Sequence, residues 1–355
     1  MEKTGSSFIF LAFFLLQTLT KHEATKVPAI IVFGDSSVDS GNNNHISTVL
    51  KSNFPPYGRD FDGGKPTGRF SNGKIVTDFI SQAFGIKATI PAYLDPSFNI
   101  TDFVTGVCFA SAGTGYDNAT SDIFSVIPLW KQLEYYKEYQ TKLRDYLGAS
   151  KGNATIAKSL YLISLGTNDF LENYFLLPRR SSKFSVEEYQ SFLVRTAAEF
   201  VRKLYKLGAR KMSIGGLPPM GCLPLERTSS VVFGGGGECV EKYNGIAKDF
   251  NGKLMGLVEM LEKELGGIRI VLSNPFDVLS DMIDHPSYYG FRNSAKACCG
   301  TGRFEMGFMC SRLSPFTCDD ANKYVFWDAF HPTQKAHSIM ANHIVKTYLS
   351  IFLST

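Results

Sequence analysis

The sequence contains no block of basic residues. Its 37 Lys and Arg stand against 33 Asp and Glu, and the formal net charge of +4 is spread along the chain. A nucleic-acid surface needs a basic stripe, so that class of partner is set aside. Charged residues make up 20% and hydrophobic residues 44%, which excludes wholesale disorder and a collagen-like fibre. No pair of CxxC units occurs, and no histidine lies at ligand spacing from the cysteines. His331, His337 and His343 recur every six residues, a period that does not bring them to one helical face. Neither a metal nor another cofactor is expected. Gly234–Gly237 are followed by Glu238 and Cys239 instead of the Lys-Ser/Thr a phosphate cradle requires, so they read as a surface loop. Internal repeats and low-complexity linkers are also missing. A length of 355 residues would suit two average domains, but residues 25–355 read as one domain with room for a substantial core.

What is present begins with residues 1–24. Lys3 supplies a positive start, Phe8–Leu16 form a short apolar run, and His22-Glu23-Ala24 ends on a small residue. This is the layout of a secretory signal peptide with cleavage near Ala24, and the run is too short to span a bilayer comfortably. Glycosylation sequons at Asn99, Asn118 and Asn153 agree with export to an extracellular location. All seven cysteines lie in the mature chain, six of them beyond residue 220. In an oxidising compartment they read as a disulfide framework with fifteen connectivities open to six cysteines. Cys222–Cys239 is the pairing expected first. Adjacent Cys298 and Cys299 are poor partners for each other, since a vicinal bridge strains the backbone. Cys108, in an apolar run, is the expected buried free thiol.

Short apolar runs at Ala29–Phe33, Thr105–Ala110, Leu160–Leu165, Lys211–Ile214 and Ile268–Leu272 suit strands buried on both faces. Helical patterns fall at Lys74–Phe84, Leu129–Leu147, Val186–Leu207, Glu238–Leu265 and Thr333 to about Phe352. The alternation predicts a three-layer α/β/α fold with a central, mainly parallel, five-stranded sheet. Such sheets place ligands outside the carboxyl ends of their strands, so the polar residues that follow each apolar run are the candidates.

After the first run comes Gly34-Asp35-Ser36-Ser37, where Ser36 either presents a hydroxyl at the sheet edge or caps the next helix. After the second comes Ala110-Ser111-Ala112-Gly113-Thr114-Gly115. Gly113 can offer an unobstructed backbone N–H, whereas Asn118 replaces the third glycine of a dinucleotide fingerprint. After the third comes Asn168, either an amide donor or part of an Asx turn. Near the end, Asp328 and His331 are three apart, close enough for a carboxylate to orient an imidazole, and Pro332 suits a first helical position. A Gly-x-Ser-x-Gly string at Gly148–Gly152 follows a helical pattern instead of a strand, so it is rejected as a nucleophile elbow.

A serine, a glycine and an asparagine after successive strands, closed by Asp-x-x-His, resemble the SGNH/GDSL hydrolases, and in detail the plant GDSL esterase/lipase group. Stretches Phe33–Asn43, Pro66–Gly73, Gly216–Cys222 and Ala297–Gly300 carry the same resemblance, which runs from about Val27 to the end. The sequence departs from the group's pattern in having Ser37 where leucine is usual and Cys108 where asparagine is usual. The resemblance implies a flavodoxin-like sheet, Ser36 as nucleophile, His331 as general base and Asp328 as its orienter. It implies an oxyanion hole from the Ser36 N–H, the Gly113 N–H and the Asn168 side chain. The expected activity is a secreted serine esterase or lipase acting on carboxylic esters of lipid, aryl or acetylated-sugar type, through an acyl-enzyme. Acyl transfer to an alcohol would use the same triad. With 29 Phe and 16 Tyr, a non-catalytic secreted lipid-binding protein is the alternative from another class.

Overall fold

A computed structural model describes residues 27–353; the expected signal peptide, residues 1–24, lies outside them. Five short strands are all parallel: β1 (Ile30–Gly34), β2 (Gly106–Cys108), β3 (Leu160–Ser164), β4 (Lys211–Gly215) and β5 (Arg269–Ser273). Their order across the sheet is β2-β1-β3-β4-β5, the flavodoxin-like arrangement in which the chain reverses its direction of winding beside β1. Each expected strand is present within a residue or two of its bounds.

The expected helices also fall where the apolar period places them: α1 (Val76–Ala83), α4 (Leu129–Leu147), α6 (Val186–Lys206), α8 (Glu241–Glu264) and α10 (Gln334–Ile344). Short helices that the sequence reading did not assign lie between them: α2 (Ile100–Phe103), α3 (Asn118–Ile123), α5 (Ala149–Lys158), α7 (Pro224–Val232) and α9 (Phe276–Asp284). The rejected Gly148–Gly152 string opens α5, and its Ser150 is exposed. Gly234–Gly236 are exposed in the link between α7 and α8.

Strand residues alternate between two cores. Ile31, Phe33, Tyr161, Ile163 and Met212 pack with α4, α6 and α8 on one face. Ile30, Val32, Leu160 and Leu162 pack with α1 and α10 on the other. This is the three-layer sandwich that uniformly apolar parallel strands require. A third cluster, with Tyr57, Phe70, Trp327 and Cys298, Cys299 and Cys310, is separate from both. Disulfides Cys298–Cys318 and Cys299–Cys310 tie its chain together, and Cys222–Cys239 forms as expected. Cys108 is the free, buried thiol.

Arg69, in the Pro66–Gly73 stretch, is almost fully buried. Its guanidinium makes two bonds to Asp78 of α1, at 2.8 and 2.9 Å, and donates to the Ser40 and Ile90 carbonyls. Removing one partner of such a pair leaves a buried uncompensated charge. Arg69→Met is therefore expected to cost about 3–5 kcal/mol of stability by denaturant titration, and Arg69→Met with Asp78→Leu less than Arg69→Met alone.

Candidate active site

The site is assembled at the carboxyl ends of β1, β2 and β3, which are neighbours in the sheet. β1 ends on Gly34 with φ 154°, and a Cβ there would meet the Ser164 carbonyl oxygen at 2.4 Å and Val38 Cγ2 at 2.6 Å. Only glycine lets the chain pass this closely against β3 before it turns. In the turn, Asp35 accepts from the Ser37 N–H (2.9 Å) and the Ser37 hydroxyl (2.7 Å), and Ser37 Oγ lies 2.9 Å from Ser164 Oγ. Ser37 thus fixes the turn to β3 by hydrogen bonds. The hydroxyl of Ser36 is left facing away from this network, 2.8 Å from His331 Nε2.

His331 arrives on the loop before α10. Its Nδ1 lies 2.8 and 2.9 Å from the two oxygens of Asp328. With Nδ1–H directed at Asp328, Nε2 is free to accept the Ser36 proton. Asp328 is completely buried and accepts further bonds from the Phe330 N–H (2.9 Å), the His331 N–H (2.7 Å) and the Tyr57 hydroxyl (2.6 Å). Tyr57 in turn accepts the Gly307 N–H at 2.8 Å. Sequence reasoning missed Tyr57, which no motif connects to a residue 271 positions away. The Phe70 ring, 4.9 Å from the imidazole, closes the other side.

The expected oxyanion donors follow β2 and β3. Gly113 has φ 85°, and Asn168 donates from Nδ2 to the carbonyl of the next residue, Thr114, at 2.9 Å. The loop carrying Gly113 is tied to the Ser36 turn by Asp39. Its carboxylate accepts from the Gly41, Asn42 and Ala112 N–H groups, while Asn42 donates to the Cys108 and Ala110 carbonyls and Asn43 to the Ala112 carbonyl. This is the work done by the Asp39–Asn43 stretch. Cys108 touches the Val38 carbonyl with its sulfur, and burial pushes its thiol up to about 12, so it stays protonated. The sequon residues Asn99, Asn118 and Asn153 are exposed and lie away from this centre in α2, α3 and α5 or their caps. Among the described residues no helix is long and apolar enough to cross a membrane.

Three mutually interacting carboxylates lie close to the Ser36 turn. Burial pushes Asp35 up to about 6, against hydrogen bonds from Ser37, and Asp169 up to about 7, against bonds from Thr120, Tyr116 and Asp117. Glu172 is raised to about 8 by burial, reinforced by the charges of Asp35 and Asp169, and its Oε2 has no partner. Burial lowers His337 to about 3, with a further push from His331.

The family model described as GDSL-like lipase/acylhydrolase matches residues 30–344. Two GDSL esterases/lipases of Arabidopsis thaliana are each 62% identical to this chain, over 346 and 347 residues. These alignments cover 96% and 98% of this chain and 98% and 99% of the relatives. A third from the same plant is 57% identical over 340 residues, covering 95% and 96% respectively.

Two outcomes follow from the geometry. Tyr57→Phe keeps the ring among Phe54, Phe70 and Trp327 but removes one donor to a buried carboxylate and the acceptor of the Gly307 N–H; kcat should fall about tenfold with KM nearly unchanged, and the melting temperature should drop by a few degrees. The carboxylates whose folded values are raised bind more protons folded than unfolded, so their stabilisation is full below about pH 4 and lost as pH climbs through 6 to 8. His337, lowered to about 3, contributes in the opposite sense, losing its share as pH falls below 6.5. The melting temperature should therefore peak in mildly acidic buffer and fall toward pH 8, and Glu172→Gln should flatten the alkaline decline.

Proposed function

Because the chain belongs to the GDSL-like lipase/acylhydrolase family and is a carboxylic ester hydrolase, we propose that it cleaves esters through a Ser36–His331–Asp328 triad and an acyl-enzyme. The observation that carries this is the continuous hydrogen-bonded line from Ser36 Oγ to His331 Nε2, and from His331 Nδ1 to Asp328. A serine hydroxyl is a weak nucleophile until a base within reach accepts its proton. His331 takes that proton as Ser36 attacks the ester carbonyl, then returns it to the departing alkoxide. Asp328 holds the imidazole in the working tautomer and balances the charge it gains. The Ser36 and Gly113 N–H groups and the Asn168 amide receive the oxyanion, each worth roughly 2.7–4 kcal/mol of transition-state stabilisation. In the second half a water, activated by His331, releases the acid.

Lipid, aryl and acetylated-sugar esters all fall within this chemistry, and an alcohol in place of water would make the same acyl-enzyme a transferase. Residues 25–355 act as one domain in this reading. Export, removal of residues 1–24 and glycosylation at Asn99, Asn118 and Asn153 belong to it too; the three disulfides and the exposure of all three asparagines support them.

The test is covalent labelling by a fluorophosphonate, with the adduct mapped by mass spectrometry. The label should sit on Ser36, and Ser36→Ala should lose it along with at least about a thousandfold in kcat on an ester that the parent cleaves. Labelling elsewhere, or full turnover by a folded Ser36→Ala protein, would overturn the triad.

A further inference from the structure

A groove of about 510 Å³ is bounded by α3, α4 and α6, and Ser36, Asp328 and His331 take no part in its lining. Its volume lies in the range of pockets that enclose small organic ligands. Buried Leu129, Leu133 and Phe200 give it an apolar floor, and exposed Asp122, Glu199 and Lys203 give it a charged rim. Trp130, in the first turn of α4, also lines it and is 54% exposed. Tryptophan is highly buried on average, and the other tryptophan of the chain, Trp327, is fully so.

The groove holds an attachment point for its own occupant. Asn118, the first residue of α3 and the acceptor of the Asn118-Ala119-Thr120 sequon, is exposed and lines the same groove. A glycan joined to its amide nitrogen therefore starts inside the groove. The attachment point is fixed on both sides. Asp117 accepts the Ala119 N–H at 3.0 Å and the Arg180 guanidinium at 2.6 and 2.8 Å, and Thr120 donates to Asp169 at 2.6 Å. Arg180 belongs to the lining too. A sugar ring has an apolar C–H face that packs flat on an indole and a rim of hydroxyls that bond to carboxylates and ammonium groups. Such contacts are weak for a free sugar. A tethered one meets its site at an effective concentration of about millimolar, so the weak contacts fill.

We propose that the glycan on Asn118 folds back into this groove, its proximal N-acetylglucosamine rings covering Trp130 and their hydroxyls meeting Asp122, Glu199 and Lys203. The proposal rests on the reading that Asn118 is glycosylated, and adds to it a seat for the sugar on the protein. Held there, the glycan screens the Arg180–Asp117 pair from solvent and joins α3, α4 and α6 across their outer surface.

The secreted, glycosylated protein serves for the test, with occupancy of Asn118 read by mass spectrometry of the glycopeptide. Because Trp327 is buried, acrylamide quenching of tryptophan fluorescence reports chiefly on Trp130. Asn118→Gln should raise the quenching constant at least about twofold, by uncovering the indole, and Asn153→Gln should leave it unchanged. Enzymatic removal of the glycans from the folded parent protein should give the same rise, and reads the contact even if Asn118→Gln fails to fold. The parent should also melt about two degrees above Asn118→Gln, a gain that Trp130→Ala abolishes. With Asn118 occupied, equal quenching of the parent and the uncovered forms overturns the docking alone. So does an equal rise in Asn153→Gln, or a gain in melting temperature that survives Trp130→Ala. An unoccupied Asn118 overturns the glycosylation reading at that position and the docking with it.

Discussion

The arrangement depends first on burying Asp328. A carboxylate with no exposure has to find its hydrogen bonds inside the protein, and this one finds them on two sides. Its own turn supplies the Phe330 and His331 N–H groups and the imidazole. The Trp327 N–H closes the same turn by donating to the His331 carbonyl at 2.7 Å, and Pro332 and Thr333 then lead into α10 with the Thr333 hydroxyl as its cap. The other side is Tyr57, held by Gly307, which lies inside the loop closed by Cys299–Cys310. Asp328 and His331 therefore stand on a disulfide-tied cap, while Ser36 stands at the end of the sheet. At the site itself the two halves meet through the short hydrogen bond between Ser36 Oγ and His331 Nε2.

That division explains why the sheet end is so heavily cross-tied. In the proposed reaction, Ser36 in the turn after β1 and the donors after β2 and β3 must keep their mutual spacing for the oxyanion to be met by all of them at once. Asp39 holds the first turn to the second, Ser37 holds the first to β3, and Asn168 holds the third to the second. The first two bonds are made by side chains of the Phe33–Asn43 stretch, and the third by Asn168, the asparagine of the pattern that carries the family resemblance. Much of what makes those stretches recognisable is thus anchorage of the catalytic groups, with only a few residues doing the chemistry.

The same division decides what could be read from the sequence. Strands announce themselves by local composition, and α4, α6 and α8 by a long apolar period, so the layers were legible, as were the strand ends where the candidate polar residues stand. Helices α2 and α3 are too short to display a period, and α5 is mostly polar on the outside. The wide-turn helix at Asp169–Leu176 carries the buried Asp169 and Glu172 with no sequence signal of its own. Tyr57 was beyond reach because its role comes from a contact across most of the chain. Cys298 and Cys299 were correctly read as not bonded to each other, but their actual partners, Cys318 and Cys310, depend on how the cap folds.

The departures from the family pattern make sense in this frame. A leucine after the nucleophile would hold the turn by apolar contact with the helices; Ser37 holds it through Asp35 and Ser164 and brings a hydroxyl into the lining of the cavity beside Ser36 and His331. Ser164, Ser213 and Ser273 carry hydroxyls onward along the same face of β3, β4 and β5. A row of hydroxyls through an otherwise apolar core weakens the burial term that stabilises a parallel sheet. Paired hydroxyls recover part of that loss within the protein, as Ser37 does with Ser164 and Ser213 with Ser273. Thr77 Oγ1 and His337 Nδ1, buried in the same layer between sheet and helices, recover none of it.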